Sequence, residues 1–455
     1  MPKHFHSSKA QTFFRSWAAD LQQPVDIASL TVFRIAFGIL MFEVVFKSFR
    51  AGLIDKYFLM PNFTFTYHGF DWVQPFPGYG MYIFFIIMGL ATVLITLGLF
   101  YRLAAITFFI TFSYFFLMEQ TRYLNHFYLV VLIGFIMIFV PANRCLALDN
   151  RMPWGRPSDT TPKWSVWILQ FQMAVVYCYG GIAKLNFDWL RGEPMRLWFG
   201  NMVYSEGYHP FFKTEWFIYF ISYGGLIFDL LIVPFLIWKK TRLAAFICVV
   251  LFHISNHFMW NIGIFPFMGI AATTIFFSYD WPRRFIRLPK YSLSRKFTTA
   301  ASLRPVASAV FALYCIAQLL VPFRHWLYPG HVVWTEEGHK FSWRMKLRSR
   351  RAEMTFFVHD KDADKIYQVQ THDILMPHQL RKAEADPHLI LLMAHKLKEQ
   401  HQQITGNSNV EVRATCYLAV NGRTPQLYFD PNMDLTQIRR TFWHDNWFYP
   451  MKTKL

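Results

Sequence analysis

The sequence predicts a mainly α fold: a polytopic membrane helical bundle of about nine spans followed by a β-rich extramembrane C-terminal domain. Three observations carry that prediction. Hydrophobic residues make up 54% of the chain and charged residues only 16%, a balance outside the range of ordinary soluble domains. Apolar runs long enough to cross a hydrocarbon core recur up to Pro322. Beyond Pro322 they stop, and polar, alternating segments take over.

Residues 1–28 read as a cytoplasmic N-terminal segment. Lys3 and Arg15 precede no apolar core that leads to a small-residue cleavage site, so no cleaved signal peptide is expected. A transmembrane domain over 29–322 follows, with runs near 29–46, 81–99, 103–118, 124–142, 164–185, 216–238, 243–259, 262–278 and 305–322. Arg34 and Glu43 in the first run, taken to share one side of the helix, read as structural. Gly180-Gly181 in the fifth allows another helix or a flat ligand to approach closely.

Basic loops orient the bundle. Arg102, the group Arg144, Arg151, Arg156 and Lys163, the group Lys239, Lys240 and Arg242, and the cluster Arg283, Arg284, Arg287, Lys290, Arg295 and Lys296 all fall on one side of a nine-span arrangement. That side is cytoplasmic by the positive-inside rule. An odd number of spans then places residues 323–455 outside. There, Met354–His359 and Ile366–Gln370 read as strands around an Asp-rich turn, Leu389–Gln400 as an amphipathic helix, and Val410–Val420 and Gln426–Phe429 as strands flanking Asn421-Gly422. The net charge of +18 is spread over loops and tail rather than gathered in a binding module, so nucleic acid is not an expected partner. Cys145, Cys178, Cys248, Cys315 and Cys416 show no close pair and no metal-ligand spacing, and read as small buried side chains.

The polar residues inside the apolar runs bear on function. Asn125 and His126 begin the fourth run, Lys184 ends the fifth, and His253, Asn256 and His257 lie near the end of the seventh. All three places fall at the external face, where the groups are expected to converge on one cavity. Gln170, Tyr177 and Lys184 are spaced to line one stripe, and His253 shares a face with Asn256 and His257. An ammonium taken out of water is costly, so Lys184 is expected to lose its proton and become a base. The plainer readings are snorkelling of Lys184 to the interface and interhelical hydrogen bonding by the histidines and asparagines.

Several segments resemble the vitamin K-dependent gamma-glutamyl carboxylase family, whose membrane part is the HTTM domain. These are Leu30–Gly38, Tyr123–Leu129, Gly180–Trp189, Phe252–Asn256 and Ile262–Pro266, then Gly338–Met345 with Arg348–Arg350, and Tyr428–Leu435. The resemblance runs in order over nearly the whole chain and identifies it as a compact, bacterial-type member. It implies a two-part reaction in which vitamin K hydroquinone (or menaquinol) reacts with oxygen, becomes a strong base, removes a gamma-carbon proton from glutamate and leaves as its epoxide while carbon dioxide adds. It implies Lys184 as the catalytic base, with Asn125 and His126 as a functional pair, and Tyr177, His253 and Asn256 at the quinol. No metal is implied. Implied partners are membrane lipids, a glutamate-containing exported protein and a separate quinone/epoxide reductase. The location is a bacterial inner membrane, or the endoplasmic reticulum membrane in a eukaryote.

Departures from the family pattern stand beside the matches. Asn186 replaces the Asp that usually follows Lys-Leu, and Ala183 replaces one of two paired lysines. The loop Asp280–Leu303 is short, which leaves peptide recognition open. The loop Lys47–Gly80 lacks the cysteine through which animal members tie it to the external domain. A quinol epoxidase without glutamate carboxylation, and a non-catalytic membrane scaffold or transporter, are the alternative functions. Transporter-type inverted repeats and paired half-helices are not seen.

Overall fold

The computed structural model describes residues 16–260, 262–290 and 305–453. Lys3, Arg15, Arg295 and Lys296, used above for the N-terminus and the orientation, lie outside the described residues. Each apolar run contains a helix: α1 Ala28–Arg50, α2 Gly80–Leu97, α3 Tyr101–Met118, α4 Asn125–Phe139 and α5 Trp164–Lys184. After the shorter α6, Glu193–Ser205, come α7 Glu215–Ile237, α8 Arg242–Trp260, α9 Phe265–Thr273 and α10 Pro305–Leu320. Among the described residues seven helices are long and apolar enough to cross a membrane, while α4 and the segment Phe265–Phe276 are shorter apolar helices. α1 packs on α2, α2 on α3, α3 on α4, and α5 on α7.

The α2–α3 hairpin turns at Gly98, whose φ of 66° closes α2 with Leu99 N–H donating to Leu94 O at 3.0 Å. A Cβ there would also strike the Arg34 guanidinium. Arg34 is fully buried and donates from Nη2 to Leu146 O at 2.6 Å, whereas Glu43 is exposed. The reading that placed both on one side of α1 is therefore corrected: nine residues make two and a half turns, which puts them on opposite sides. At the end bearing the basic loops, β1 Pro24–Asp26 pairs antiparallel with β2 Thr160–Pro162. Arg283 clasps Asp26 there at 2.7 Å.

The C-terminal part holds an antiparallel sheet of order β4-β3-β5-β6, formed by β3 Arg350–Asp360, β4 Lys365–Gln370, β5 Val410–Val420 and β6 Gln426–Leu427. α11, Pro387–Thr405, covers it, so that Leu389, Ile390 and Met393 pack with Phe356, Val412 and Ala414. Asp386 caps α11 by accepting from His388 N–H at 3.1 Å, and Pro387 occupies its first turn, where no N–H is needed. With a second helix at Pro377–Ala383, this part is β-containing rather than β-rich. Asn421 and Gly422, at φ 51° and 76°, form the expected turn after β5. The last strand is shorter than expected, Phe429 making only an isolated bridge to Phe448.

The C-terminal part docks on the end of the bundle that carries Lys184. Asp188 receives two bonds from Arg423, at 2.6 and 2.7 Å, and one from Asn421 at 2.6 Å. Phe65, from the loop between α1 and α2, is fully buried within the core of the C-terminal part. Arg440 reaches back to Asp71 of the same loop at 2.7 Å. Apolar insertion and an ion pair thus tie this loop down without a disulfide.

Candidate functional site

The site starts from a close helix contact. A Cβ on Gly181 would lie 2.7 Å from Leu230 Cδ2, and one on Gly180 3.0 Å from Asp229 Oδ2, so the glycine pair lets α5 and α7 touch as expected. That contact brings Asp229 against Lys184 in a buried ion pair. Lys184, 6% exposed, also donates to Gly180 O at 3.2 Å and lies 5.2 Å from the Trp189 ring. Snorkelling is thereby excluded, and the buried amine has a partner that the sequence reading did not name: the counter-charge that burial demands comes from Asp229. Sequence reasoning missed this residue, although it is an acid alone among apolar residues at the middle of α7.

Lys184, Asp229, Tyr177, His253 and Asn256 line one cavity, with about 820 Å³ of space between its lining atoms. The Tyr177 hydroxyl and His253 Nε2 are hydrogen-bonded at 2.9 Å, while His253 Nδ1 is buried without a partner among the described residues. Gly269 makes room for that ring, since a Cβ there would stand 2.5 Å from it. Asn256 spends its amide N–H on Phe252 O at 2.9 Å. Met173, Val176, Phe252, Trp260 and Phe265 supply the apolar remainder. His257 instead packs on Phe267, and Gln170 donates to Ile275 O at 2.9 Å, so neither joins the cavity.

Asn125 and His126 do not share this cavity, and the expectation of one converging cavity is corrected. They line a larger, open cleft of about 1660 Å³ between the bundle and the C-terminal part. Ile262, Phe265, Met345 and Lys346 line both spaces and form the partition between them. Phe265 stands with its ring stacked on His126 at 5.4 Å on one side and edge-on to His253 at 5.5 Å on the other. Helix α4 begins with Asn125, which accepts from the Tyr123 hydroxyl at 3.0 Å. The cleft is strongly cationic, with Lys340, Arg344, Lys346, Arg348, Arg350, Arg381 and Lys382 set against Glu336 and Asp386. Burial works to raise the Glu336 carboxyl, but Arg348 and Arg350 outweigh it and hold the group below its ordinary range. Burial and the same cations hold His339 far below the usual imidazole value, hence neutral. The segment contributing the partition is conformationally unusual, for Glu336, Phe341, Trp343 and Lys346 all take positive φ.

Residues 22–281 match the HTTM domain, and residues 303–454 match the lumenal domain of vitamin K-dependent gamma-carboxylase. The chain belongs to the vitamin K-dependent gamma-carboxylase family. No solved structure matches it. The candidate cavity of this gamma-carboxylase-like membrane enzyme draws on both matched regions: the HTTM part supplies Lys184, Asp229, Tyr177 and His253, and the lumenal part supplies Met345 and Lys346. Family membership implies the use of vitamin K hydroquinone.

Proposed function

We propose that this carboxylase-family protein couples oxygenation of a reduced vitamin K-type quinol to carboxylation of glutamate in an exported protein, on the extracytoplasmic side of its membrane. The observation that carries the reading is the pairing of an apolar cavity holding Lys184 with a cation-rich cleft across a partition of four residues. The cavity suits a quinol. Its walls are apolar and aromatic, and its few polar groups, including the unpartnered His253 Nδ1, are placed to meet ring oxygens. Reduced vitamin K, with oxygen, supplies the strong base that takes the glutamate γ-proton and leaves as the epoxide.

The protein's own residues then have distinct tasks. Transfer of a proton from Lys184 Nζ to Asp229 Oδ2 leaves a neutral amine beside a neutral carboxyl; the amine's lone pair then takes a proton from a quinol hydroxyl, and the ammonium so formed is balanced by the quinol's oxyanion. Tyr177 and His253, bound to each other, orient the ring. The apolar walls exclude water that would quench a strong base. Across the partition, the cleft's cations attract and hold an acidic side chain beside Asn125 and His126. That basic cleft favours carboxylation over epoxidation alone.

The test is an assay of the purified protein in detergent with reduced phylloquinone or menaquinone, labelled bicarbonate and a glutamate peptide. Epoxide and labelled peptide are both expected, and both are expected to vanish in Lys184→Ala. Epoxide without labelled peptide identifies a quinol epoxidase. Absence of both products, with Lys184→Ala matching wild type in cells, identifies a non-catalytic scaffold.

A further inference from the structure

A third cavity lies on the opposite side of the α5 end from Asp229, with about 1080 Å³ of space between its lining atoms. Its two sides differ in chemistry. Toward the bundle it is walled by Ile182, Leu185, Phe323 and Trp326, and toward the C-terminal part by His331 and Arg344. Leu185 and Trp326 are 56% and 68% exposed at the level where α5 and α10 end, the depth at which tryptophan marks a membrane interface.

Arg344 is the decisive residue. It is 6% exposed, yet among the described residues it forms no ion pair. Its neighbours are matched: Arg348 and Arg350 share Glu336, Lys340 holds Asp386, and Arg423 holds Asp188. Arg344 has only a 3.5 Å contact from Nη1 to His325 Nε2, and its Nε is buried without a partner. Buried charges are costly unless compensated, so an orphan guanidinium beside a cavity calls for an anion. His331 adds a donor. Its Nδ1 accepts from Val333 N–H at 3.2 Å, so the ring proton sits on Nε2, which has no partner among the described residues. Burial and the nearby guanidinium keep the ring neutral, with its pKa pushed down to about 4.

We propose that this cavity binds the oxyanion headgroup of a phospholipid from the adjoining leaflet, with Arg344 and His331 on the phosphate and the acyl chains running over Leu185 and Trp326. A free anion would satisfy the guanidinium but leave the apolar wall in water. An amphiphile covers both, in the manner of basic pockets that hold lipid headgroups beside membrane helices. This cavity meets the cationic cleft at Arg344, which lines both, but lipid binding there does not depend on the proposed reaction and stands whether or not that reaction occurs.

The experiment measures binding to the full-length protein in mild detergent by native mass spectrometry, alongside the shift of its thermal unfolding midpoint. The probes are phosphatidylglycerol, phosphatidylcholine and inorganic phosphate. Phosphatidylglycerol is expected to bind about tenfold more tightly than phosphatidylcholine, whose own choline cation neutralises the phosphate and would be brought against the Arg344 guanidinium. His331→Gln with Trp326→Ala is expected to reduce that preference to about twofold or less, as is Arg344→Gln. Arg381→Gln, which faces only the cationic cleft, is expected to leave it unchanged. Equal binding of the two lipids overturns the proposal, as does an undiminished preference in the His331/Trp326 variant, which avoids any folding defect of Arg344→Gln. Stabilisation by inorganic phosphate equal to that by phosphatidylglycerol also overturns it, in favour of a small-anion site.

Discussion

At the scale of single residues, the Lys184–Asp229 pair sets the charge balance of the candidate cavity. Removing one partner of a buried pair strands the other charge, whereas removing both leaves an apolar contact. Asp229→Leu is therefore expected to destabilise the protein by about 3–5 kcal/mol, and Lys184→Met with Asp229→Leu to regain most of that loss, as read from detergent-solubilised unfolding. Additive losses in the double variant would show that the two side chains do not depend on each other. Lys184 was legible in the sequence because it ends an apolar run beside two glycines. Asp229 was not, because one acid does not interrupt the span-length hydropathy of α7, and nothing in linear order places residue 229 opposite residue 184. The pairing becomes visible only when Gly180 and Gly181 bring two helices together.

At the scale of elements, the position of the His253 ring depends on α9. Gly269→Ala places a methyl group within 2.5 Å of that ring, which must leave the Tyr177 hydroxyl to make room. The expected result is a fall in quinol turnover of at least about tenfold, with the KM for a glutamate peptide little changed, since the displaced group does not face the cleft. Turnover at the wild-type level would show that the Tyr177–His253 bond is dispensable. The helices were readable because each apolar run exceeds the length of a soluble core segment, and the strand pair around the Asp-rich turn because alternation and turn residues coincide. The two cavities were not. Asn125, His126, Lys184 and His253 all lie at one face of the bundle, and they are divided by Phe265, standing between the histidine rings, together with Ile262, Met345 and Lys346.

At the scale of the whole molecule, the segment around Asp445 is anchored through Glu337, which accepts from Asp445 N–H at 2.7 Å. Burial and the neighbouring Glu337 raise the Asp445 carboxyl to about 7, with His444 opposing and Asp386 adding to the effect, and His388 lies 3.7 Å away. A carboxyl whose folded pKa exceeds its unfolded value binds its proton more tightly when folded. Stability from this group is therefore greatest below the ordinary carboxylate range and declines as pH rises toward 7. Asp445→Asn is expected to stabilise the protein at pH 8 by about 1–2 kcal/mol, the shift being damped by solvent near the carboxyl, and to have no effect near pH 4. An equal gain at both pH values would assign the effect to packing instead. Phe65→Ala is expected to cost about 3–5 kcal/mol and to appear as faster hydrogen exchange in β3 and β5, far away in sequence.

Phe65 also constrains the order of events during synthesis. The ribosome completes the sheet and α11 several hundred residues after the aromatic side chain that finishes their interior. Until the first two helices are inserted with their connecting loop on the correct side of the bilayer, the last-made portion has a hole at its centre. An inverted first hairpin would therefore leave an unfinished tail exposed to quality-control proteases, so that the interior of one region acts as a check on the topology of another.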